Sequence, residues 1–316
     1  MGDLNDSRWM AAACALSERA RGRTAPNPNV GCVIVSKGRV VGRGWTQPGG
    51  RPHAEAAALA QAGEKSRGAT VYVTLEPCAH QSDRGPACSD LLIAAGVARV
   101  VIALEDPDPR TNGAGAARLR EAGIEVTERV GTPAARQAMA GFLTRQAKGR
   151  PHVTLKLATS LDGRIALASG ESRWITGAAA RAHAHLERAR HESILVGRGT
   201  WDMDSPALDV RLRGLEARSP RRLVLSASGE VRSPGDIAHL EGDHLLVEGG
   251  AETAASFLRA GLIDRLLLYR APILIGSGKA ALGDIGMGSL AEAHGRWRLT
   301  DERQLGSDRL EVYAAQ

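Results

Sequence analysis

Thr74-Leu-Glu-Pro-Cys-Ala-His80, running on to Cys88 and read with His53-Ala-Glu55 upstream, brings together one histidine, two cysteines and a carboxylate. This is the donor set of a catalytic zinc site. His53, Cys78 and Cys88 would supply three protein ligands and leave the fourth tetrahedral position to water. Zinc lowers the pKa of such a water from 15.7 to about 7, so hydroxide becomes available at neutral pH. Each part alone is weak evidence, since His-Ala-Glu is common and buried cysteines are usually inert apolar residues. The local pattern makes the combination specific. Residues 53–62 read as an alanine-rich helix closed by Gly63. Thr70-Val-Tyr-Val-Thr-Leu75 reads as a buried strand, and Pro77 suits the first turn of a second helix. Two helix N-termini would then face one pocket, each favouring anionic ligands through its dipole.

The whole chain sets the frame for that site. Its 316 residues exceed one typical domain, so two domains are expected. A hydrophobic share of 43% supports real cores, and 24% charged residues suits a soluble protein. No apolar run is long enough to span a bilayer, and Met1-Gly-Asp-Leu-Asn-Asp-Ser-Arg8 lacks the apolar stretch of a secretory signal. Four cysteines do not make a disulfide framework; Cys14 and Cys32 read as core residues, and a reducing cytoplasm is the expected setting. The net charge of +6 is spread along the chain rather than gathered in a basic tail. With aromatics at only 3%, base-stacking platforms are scarce. The charge balance favours a phosphorylated small substrate or cofactor over nucleic acid or a membrane.

In order, residues 7–20 carry Trp9, Ala12, Ala13, Leu16 and Ala20 at helical spacing. Strands follow at Val30–Val35 and Arg39–Trp45 around a Lys37-Gly38 turn, and later at Arg99–Leu104 and Ile124–Val130, with a helix at Ala116–Ala122 between those two. Alternating strands and helices imply a layered α/β sandwich. Helical composition from Ala134 to Ala147 ends at Lys148-Gly-Arg-Pro151, which marks the domain boundary and gives domains at 1–147 and 151–316. In the second, strands at Val153–Ala158, Ser193–Gly197, His244–Gly250 (opening into a helix at Glu252–Ala260) and Arg265–Tyr269, with two more around 296–300 and 309–313, predict an open α/β sheet with an antiparallel end. No Gly-x-Gly-x-x-Gly follows a strand, so a Rossmann reading fails. Gly276-Ser-Gly-Lys279 lacks the upstream glycine of a Walker loop and reads as a turn. Glu248-Gly-Gly250, where a strand opens into a helix, leaves backbone amides able to receive a phosphate.

The His-x-Glu, Pro-Cys and Cys pattern is that of zinc nucleobase deaminases, in which the glutamate is no ligand but moves protons. Thr24-Ala-Pro-Asn-Pro-Asn-Val-Gly31, His53-Ala-Glu55, Leu75-Glu-Pro-Cys-Ala-His80 and Asp106-Pro-Asp-Pro109 together resemble the deaminase half of the bifunctional riboflavin-biosynthesis deaminase/reductase family. Nucleic-acid deaminases usually close with Cys-x-x-Cys, whereas this family inserts a substrate-facing loop. Here that loop reads Ser82-Asp-Arg-Gly-Pro-Ala-Cys88, one residue longer than the family's usual form. Lys156-Leu-Ala-Thr-Ser-Leu-Asp-Gly163, Gly170-Glu-Ser-Arg-Trp-Ile-Thr176, Leu195-Val-Gly197, Thr200, Asp204-Ser-Pro206 and Val247-Glu-Gly-Gly250 are similar to its reductase half.

The resemblance implies two α/β domains, a cytidine-deaminase-like sandwich and a dihydrofolate-reductase-like domain. It implies zinc-dependent deamination of 2,5-diamino-6-ribosylamino-4(3H)-pyrimidinone 5′-phosphate, followed by NADPH-dependent reduction of the ribosyl group of the uracil product. Glu55 would be the proton shuttle, and Asn27, His80 and Arg84 would hold the deaminase substrate. Ala158, Trp174, Thr200, Asp204 and the loop Gly250, Ala251, Glu252, Thr253, Ala254, Ala255 and Ser256 would hold the nucleotide. Ser172, Arg188, Leu208, Arg211 and Glu248 would hold the phosphoribosyl substrate. A homo-oligomer is expected. The chain departs from the family at Ser226, often Asp, and at Trp201 and Met203, which are bulkier than usual. The rival expectations are a nucleic-acid or nucleoside deaminase with a non-catalytic second half for binding or oligomerisation, and a reductase fold kept only for regulation.

Overall fold

The computed structural model describes residues 4–80 and 84–316; Gln81, Ser82 and Asp83, part of the lengthened loop, lie outside the described residues. The chain divides into two compact units, Met1–Lys148 and Gly149–Gln316. Among the described residues no helix is long and apolar enough to cross a membrane.

The first unit is built on five strands, β1 (Gly31–Ser36), β2 (Arg39–Trp45), β3 (Thr70–Val73), β4 (Arg99–Ile102) and β5 (Glu125–Glu128), in the order β2-β1-β3-β4-β5. β1 runs antiparallel to both neighbours, while β3, β4 and β5 are parallel. The central strands are buried almost throughout, as strands covered on both faces must be. The helices are α1 (Leu4–Ser17), α2 (Ala54–Ala62), α3 (Cys88–Ala94), α4 (Ala114–Glu121), α5 (Thr132–Ala138) and α6 (Ala140–Lys148). α1 buries Met10, Ala13, Cys14 and Leu16, with Trp9 and Ala12 packed partly buried beside them. The single helix expected from Ala134 onward is two, interrupted at Met139, whose fully buried side chain joins the core.

The placement of α2 decides the site. Its buried face is Ala54, Ala58 and Ala62, so its backbone lies close to β2. A Cβ at Gly42 would come within 2.3 Å of the Ala58 carbonyl oxygen, and one at Gly44 within 2.0 Å of that of Ala54. Small residues on both sides of this contact therefore fix where the N-terminus of α2, and with it His53, points.

The second unit holds β6 (His152–Thr159), β7 (Arg164–Ala166), β8 (Ser193–Gly197), β9 (Arg221–Leu225), β10 (His244–Val247), β11 (Arg265–Arg270), β12 (Lys279–Ala280), β13 (Trp297–Leu305) and β14 (Asp308–Ala315), with α7 (Ala178–Arg188), α8 (Arg198–Asp204), α9 (Ala251–Arg259) and α10 (Leu290–Ala293). Seven strands order as β13-β14-β11-β6-β10-β8-β9, parallel from β11 to β9 and antiparallel at the β14 and β13 end. β7 and β12 form a separate pair. The Gly276-Ser-Gly-Lys279 run lies against the turn after β6: Asp162 accepts hydrogen bonds from the Ile275 and Gly276 amides, at 3.1 and 2.7 Å.

Candidate active sites of the two halves

His53 is the residue just before α2, and Glu55 lies buried in that helix's first turn. The Nδ1 atom of His53 stands 3.2 Å from Cys88 Sγ and 3.7 Å from Cys78 Sγ. The ligand atoms of His53, Cys78 and Cys88 all lie within 4.8 Å of one another, and theirs is the one such group among the described residues. Two thiols and an imidazole converging this closely, with His53 and Cys88 at helix starts, fit a zinc ion and its tetrahedral geometry. The other ring nitrogen, Nε2, faces the Asn27 side-chain amide at 3.4 Å, a partner that fixes the ring's orientation.

Cys78 and Cys88 are tied before any ion enters. The Cys78 sulfur accepts a hydrogen bond from the Cys88 amide at 3.2 Å, and the Cys78 carbonyl accepts from the amide and hydroxyl of Ser89, at 3.2 and 3.1 Å. The Cys88 thiol, hydrogen-bonded to Cys78, holds the Cys78 thiol well below its ordinary value, and the same bond with burial raises Cys88. Burial pushes the Glu55 carboxyl up to about 7, against a smaller opposing pull from His53. A carboxyl poised there suits proton transfer near neutral pH.

The second helix begins elsewhere than the sequence predicts. Pro77 and Cys78 belong to no helix or strand, and α3 starts at Cys88. The cause is Glu76, whose buried carboxylate accepts hydrogen bonds from the amides of Asp106, Gly113 and Ala116. It caps α4 from a distant part of the chain, and Gly115 packs so tightly on the Pro77 carbonyl that a Cβ would lie 2.0 Å from its oxygen. Two helix starts still converge on the site, but they carry His53 and Cys88. Sequence reasoning gave Glu76 no role, although its place directly before Pro-Cys was the available signal.

A cavity of about 350 Å³ is lined by Arg51, Pro52, His53, Ala56, Arg84, Gly85, Pro86, Cys88 and Leu91. Arg84 thus lies on the cavity wall, and it donates to the Gly49 carbonyl at 2.7 Å. Asn27 touches His53, and His80 stands beside Thr111, Nδ1 to Oγ1 at 3.4 Å. Arg51, chemically the same as Arg84, was not singled out from the sequence.

In the second unit the expected residues gather at the C-terminal ends of the parallel strands, where open α/β sheets bind ligands. Glu248, at the end of β10, receives Arg188 from α7 through two hydrogen bonds, 2.8 and 2.9 Å, and Lys156 from β6 at 3.7 Å. Burial alone would raise its carboxyl, but Lys156 and Arg188 overcome that and hold it at about 2. The loops after β8 and β10 interlock. Thr200 Oγ1 would lie 3.0 Å from a Cβ on Gly250, and Thr253 Oγ1 2.1 Å from one on Gly197. Thr200 and Gly250 are therefore neighbours, and the expected Gly250–Ser256 loop is instead the start of α9, helical from Ala251 onward. Ala158 lies on β6 opposite Tyr269 of β11.

The remaining expected residues sit further out. Trp174 is 64% exposed, with the Arg181 guanidinium 4.8 Å above its ring. Ser172 shares that loop, and Arg173 donates to the Asp204 carbonyl at 3.4 Å, which links the loop to the end of α8. Leu208 is buried, while Arg211 is exposed and paired with Asp209 at 3.3 Å. Trp201 packs partly buried against Leu208 and its cluster, whereas Met203 points outward.

Known proteins resemble both halves. Residues 4–104 match the cytidine and deoxycytidylate deaminase zinc-binding region, and residues 151–241 and 235–310 match the RibD C-terminal domain. The riboflavin biosynthesis protein RibD of Escherichia coli (strain K12) is 40% identical, over 96% of this chain and 98% of that one. RibD of Mycobacterium tuberculosis is 41% identical, over 95% of each. Among solved structures, Acinetobacter baumannii RibD is 36% identical with a TM-score of 0.84, over 99% of each chain. The Thermotoga maritima diaminohydroxyphosphoribosylaminopyrimidine deaminase/5-amino-6-(5-phosphoribosylamino)uracil reductase is 30% identical with a TM-score of 0.85, again over 99% of each. Alike across nearly its full length and in both halves, this chain belongs to the RibD family of riboflavin biosynthesis proteins.

Proposed function

We propose that the unit ending at Lys148 is the zinc-dependent deaminase and the unit from Gly149 the NADPH-dependent reductase of one bifunctional riboflavin-biosynthesis enzyme. The first acts on 2,5-diamino-6-ribosylamino-4(3H)-pyrimidinone 5′-phosphate. The second reduces the ribosyl group of 5-amino-6-(5-phosphoribosylamino)uracil to ribityl. The observation that carries the deaminase assignment is the convergence of His53, Cys78 and Cys88, with His53 and Cys88 on the wall of a cavity and Glu55 buried two residues from His53.

His53 Nδ1 and the two sulfurs hold the metal. A zinc ion held there would supply Lewis acidity and make hydroxide available near neutral pH. Glu55 takes the proton of the attacking water on a carboxylate oxygen and returns it to the departing amine nitrogen, so ammonia leaves neutral. Arg84, Asn27 and His80 hold the substrate.

In the reductase, NADPH supplies the hydride. Thr200 and residues Gly250–Ser256, the N-terminal part of α9, would hold the nucleotide, for which the glycines before that helix leave room and amides. Ala158, Trp174 and Asp204 complete that side. Glu248, ionised at every working pH, accepts from substrate hydroxyls or amides, and Arg188 and Arg211 hold the phosphoribosyl group with Ser172 and Leu208. Lys156 and Arg188 together outweigh the charge of Glu248, which leaves the cluster net positive toward a phosphate ester.

A nucleic-acid deaminase with a silent second half is not favoured, because that half itself matches the RibD C-terminal domain. The four free cysteines support a reducing cytoplasm. Exposed Leu161, Ile273 and Leu274, on loops joined by the Leu161 amide to the Ile273 carbonyl, support self-association into a homo-oligomer. The metal reading is tested by the zinc content of the purified chain. One zinc per chain, lost in Cys78→Ser and in Cys88→Ser, is expected, and full retention in both variants refutes the ligand set.

A further inference from the structure

α7 delivers side chains to three separate places in the reductase half. Arg181 covers Trp174, and Arg188 pairs with Glu248. Between them lies His185, half-buried, which has no part in the mechanism above. Its Nδ1 atom stands 3.0 Å from the Asp209 carbonyl oxygen and 3.3 Å from the Arg211 backbone nitrogen. The same Asp209 carbonyl accepts a hydrogen bond from Arg188 Nη1 at 3.0 Å.

One ring nitrogen cannot donate and accept at once. With a hydrogen, Nδ1 donates to Asp209; without one, it accepts from the Arg211 amide. In either state the imidazole fastens the stretch from Leu208 to Arg211 onto α7. That stretch needs fastening. Residues 205–215 belong to no helix or strand, and Leu208 is held at φ 51, a region that residues other than glycine seldom occupy. Among the described residues, the other polar tie on these four from outside α7 is the Val210 amide, which donates to Ser219 at 3.0 Å.

We propose that His185 is a positioning residue of the reductase: through Nδ1 it sets the backbone from Leu208 to Arg211, and so aims both side chains at the phosphoribosyl part of the uracil substrate. This rests on the reading that Leu208 and Arg211 hold that substrate. Burial and then the charge of Arg188 keep the ring's pKa below its ordinary value, so the ring adds no further cation beside Arg188 and Arg211 near neutral pH.

The test uses the full-length chain with 5-amino-6-(5-phosphoribosylamino)uracil and NADPH varied independently. His185→Ala is expected to raise the KM for the uracil phosphate roughly fivefold to tenfold, the worth of one or two such hydrogen bonds, with the KM for NADPH unchanged. His185→Asn, whose amide reaches the Nδ1 position, should restore most of the loss. His185→Gln, whose amide reaches the Nε2 position instead, should not. A parallel rise in both KM values, or Asn no better than Gln, marks a residue that only packs the helix and overturns the proposal. Arg211→Ala separates the two layers. If it raises the KM for the uracil phosphate and His185→Ala does not, the positioning role is wrong while the substrate reading stands. If Arg211→Ala changes nothing, the substrate reading falls and the proposal with it. Where His185→Ala does not fold, the Asn and Gln pair decides.

Discussion

Arg188 and Glu248 meet as a two-pronged ion pair, Nε to Oε1 at 2.8 Å and Nη2 to Oε2 at 2.9 Å, with Lys156 3.7 Å from the same carboxylate. Removing the carboxylate would leave two cations facing each other in a half-closed site. Glu248→Ala should therefore destabilise the second half by about 3 kcal/mol, read as an earlier midpoint in urea unfolding. It should also raise the KM for the uracil phosphate more than that for NADPH. The pH dependence has a definite sign. The carboxyl titrates near 2 in the folded chain against an ordinary 4.5, so its stabilisation is present above 4.5 and lost as pH falls toward 2. The difference between parent and variant should shrink over that window and not above it.

The two glycines after Glu248 are needed for different reasons. Gly250 has φ −66 and ψ 177, which any residue can adopt. A methyl there would meet only the Thr200 hydroxyl, at 3.0 Å. Gly250→Ala should fold normally and raise the KM for NADPH several-fold, because the hydroxyl and the amides at that turn are displaced. At Gly249 a Cβ would lie 2.6 Å from both Cβ and Cγ2 of the buried Thr253. Gly249→Ala should cost about 1–3 kcal/mol of stability, as overpacking does. Thermal unfolding and nucleotide titration of both variants check the split.

Glu55→Gln keeps the shape of the side chain and leaves the proposed ligands untouched. Zinc content should stay at the parent level while deamination falls on the order of 10²–10⁴-fold. Reduction of supplied uracil phosphate should be unaffected, which serves as the internal control. Normal ammonia release by this variant would place the proton shuttle elsewhere.

What was legible in the sequence follows from how local each feature is. His53, Glu55, Cys78 and Cys88 could be read because metal chemistry restricts residue type and spacing together. Most strands of the two sheets could be read from local periodicity and from turn residues such as Lys37-Gly38, whereas their order within each sheet is set by long-range pairing that no local pattern encodes. The start of α3 did not, because Pro77 is compatible with a helix and only Glu76, bonded to amides of residues 106 to 116, forbids it. His185 was equally hidden: its partners, Asp209 and Arg211, belong to a loop without periodicity. The break at Met139 has no marker in its own residue type; that side chain is fully buried in the first unit's core, its sulfur 3.8 Å from the Thr74 hydroxyl. Long-range polar ties between loops are where a single sequence stops informing, whereas residue chemistry and periodicity carry far.

The central claim is that both reactions belong to this one chain. The most direct measurement supplies the purified protein with the diaminopyrimidinone phosphate and NADPH and follows ammonia and NADPH absorbance together. Ammonia should appear first, and NADPH should then be consumed mole for mole with it. A chelator should stop both signals, and added uracil phosphate should restore only NADPH consumption. Ammonia release with no NADPH consumption, even when the uracil phosphate is supplied directly, would contradict the account.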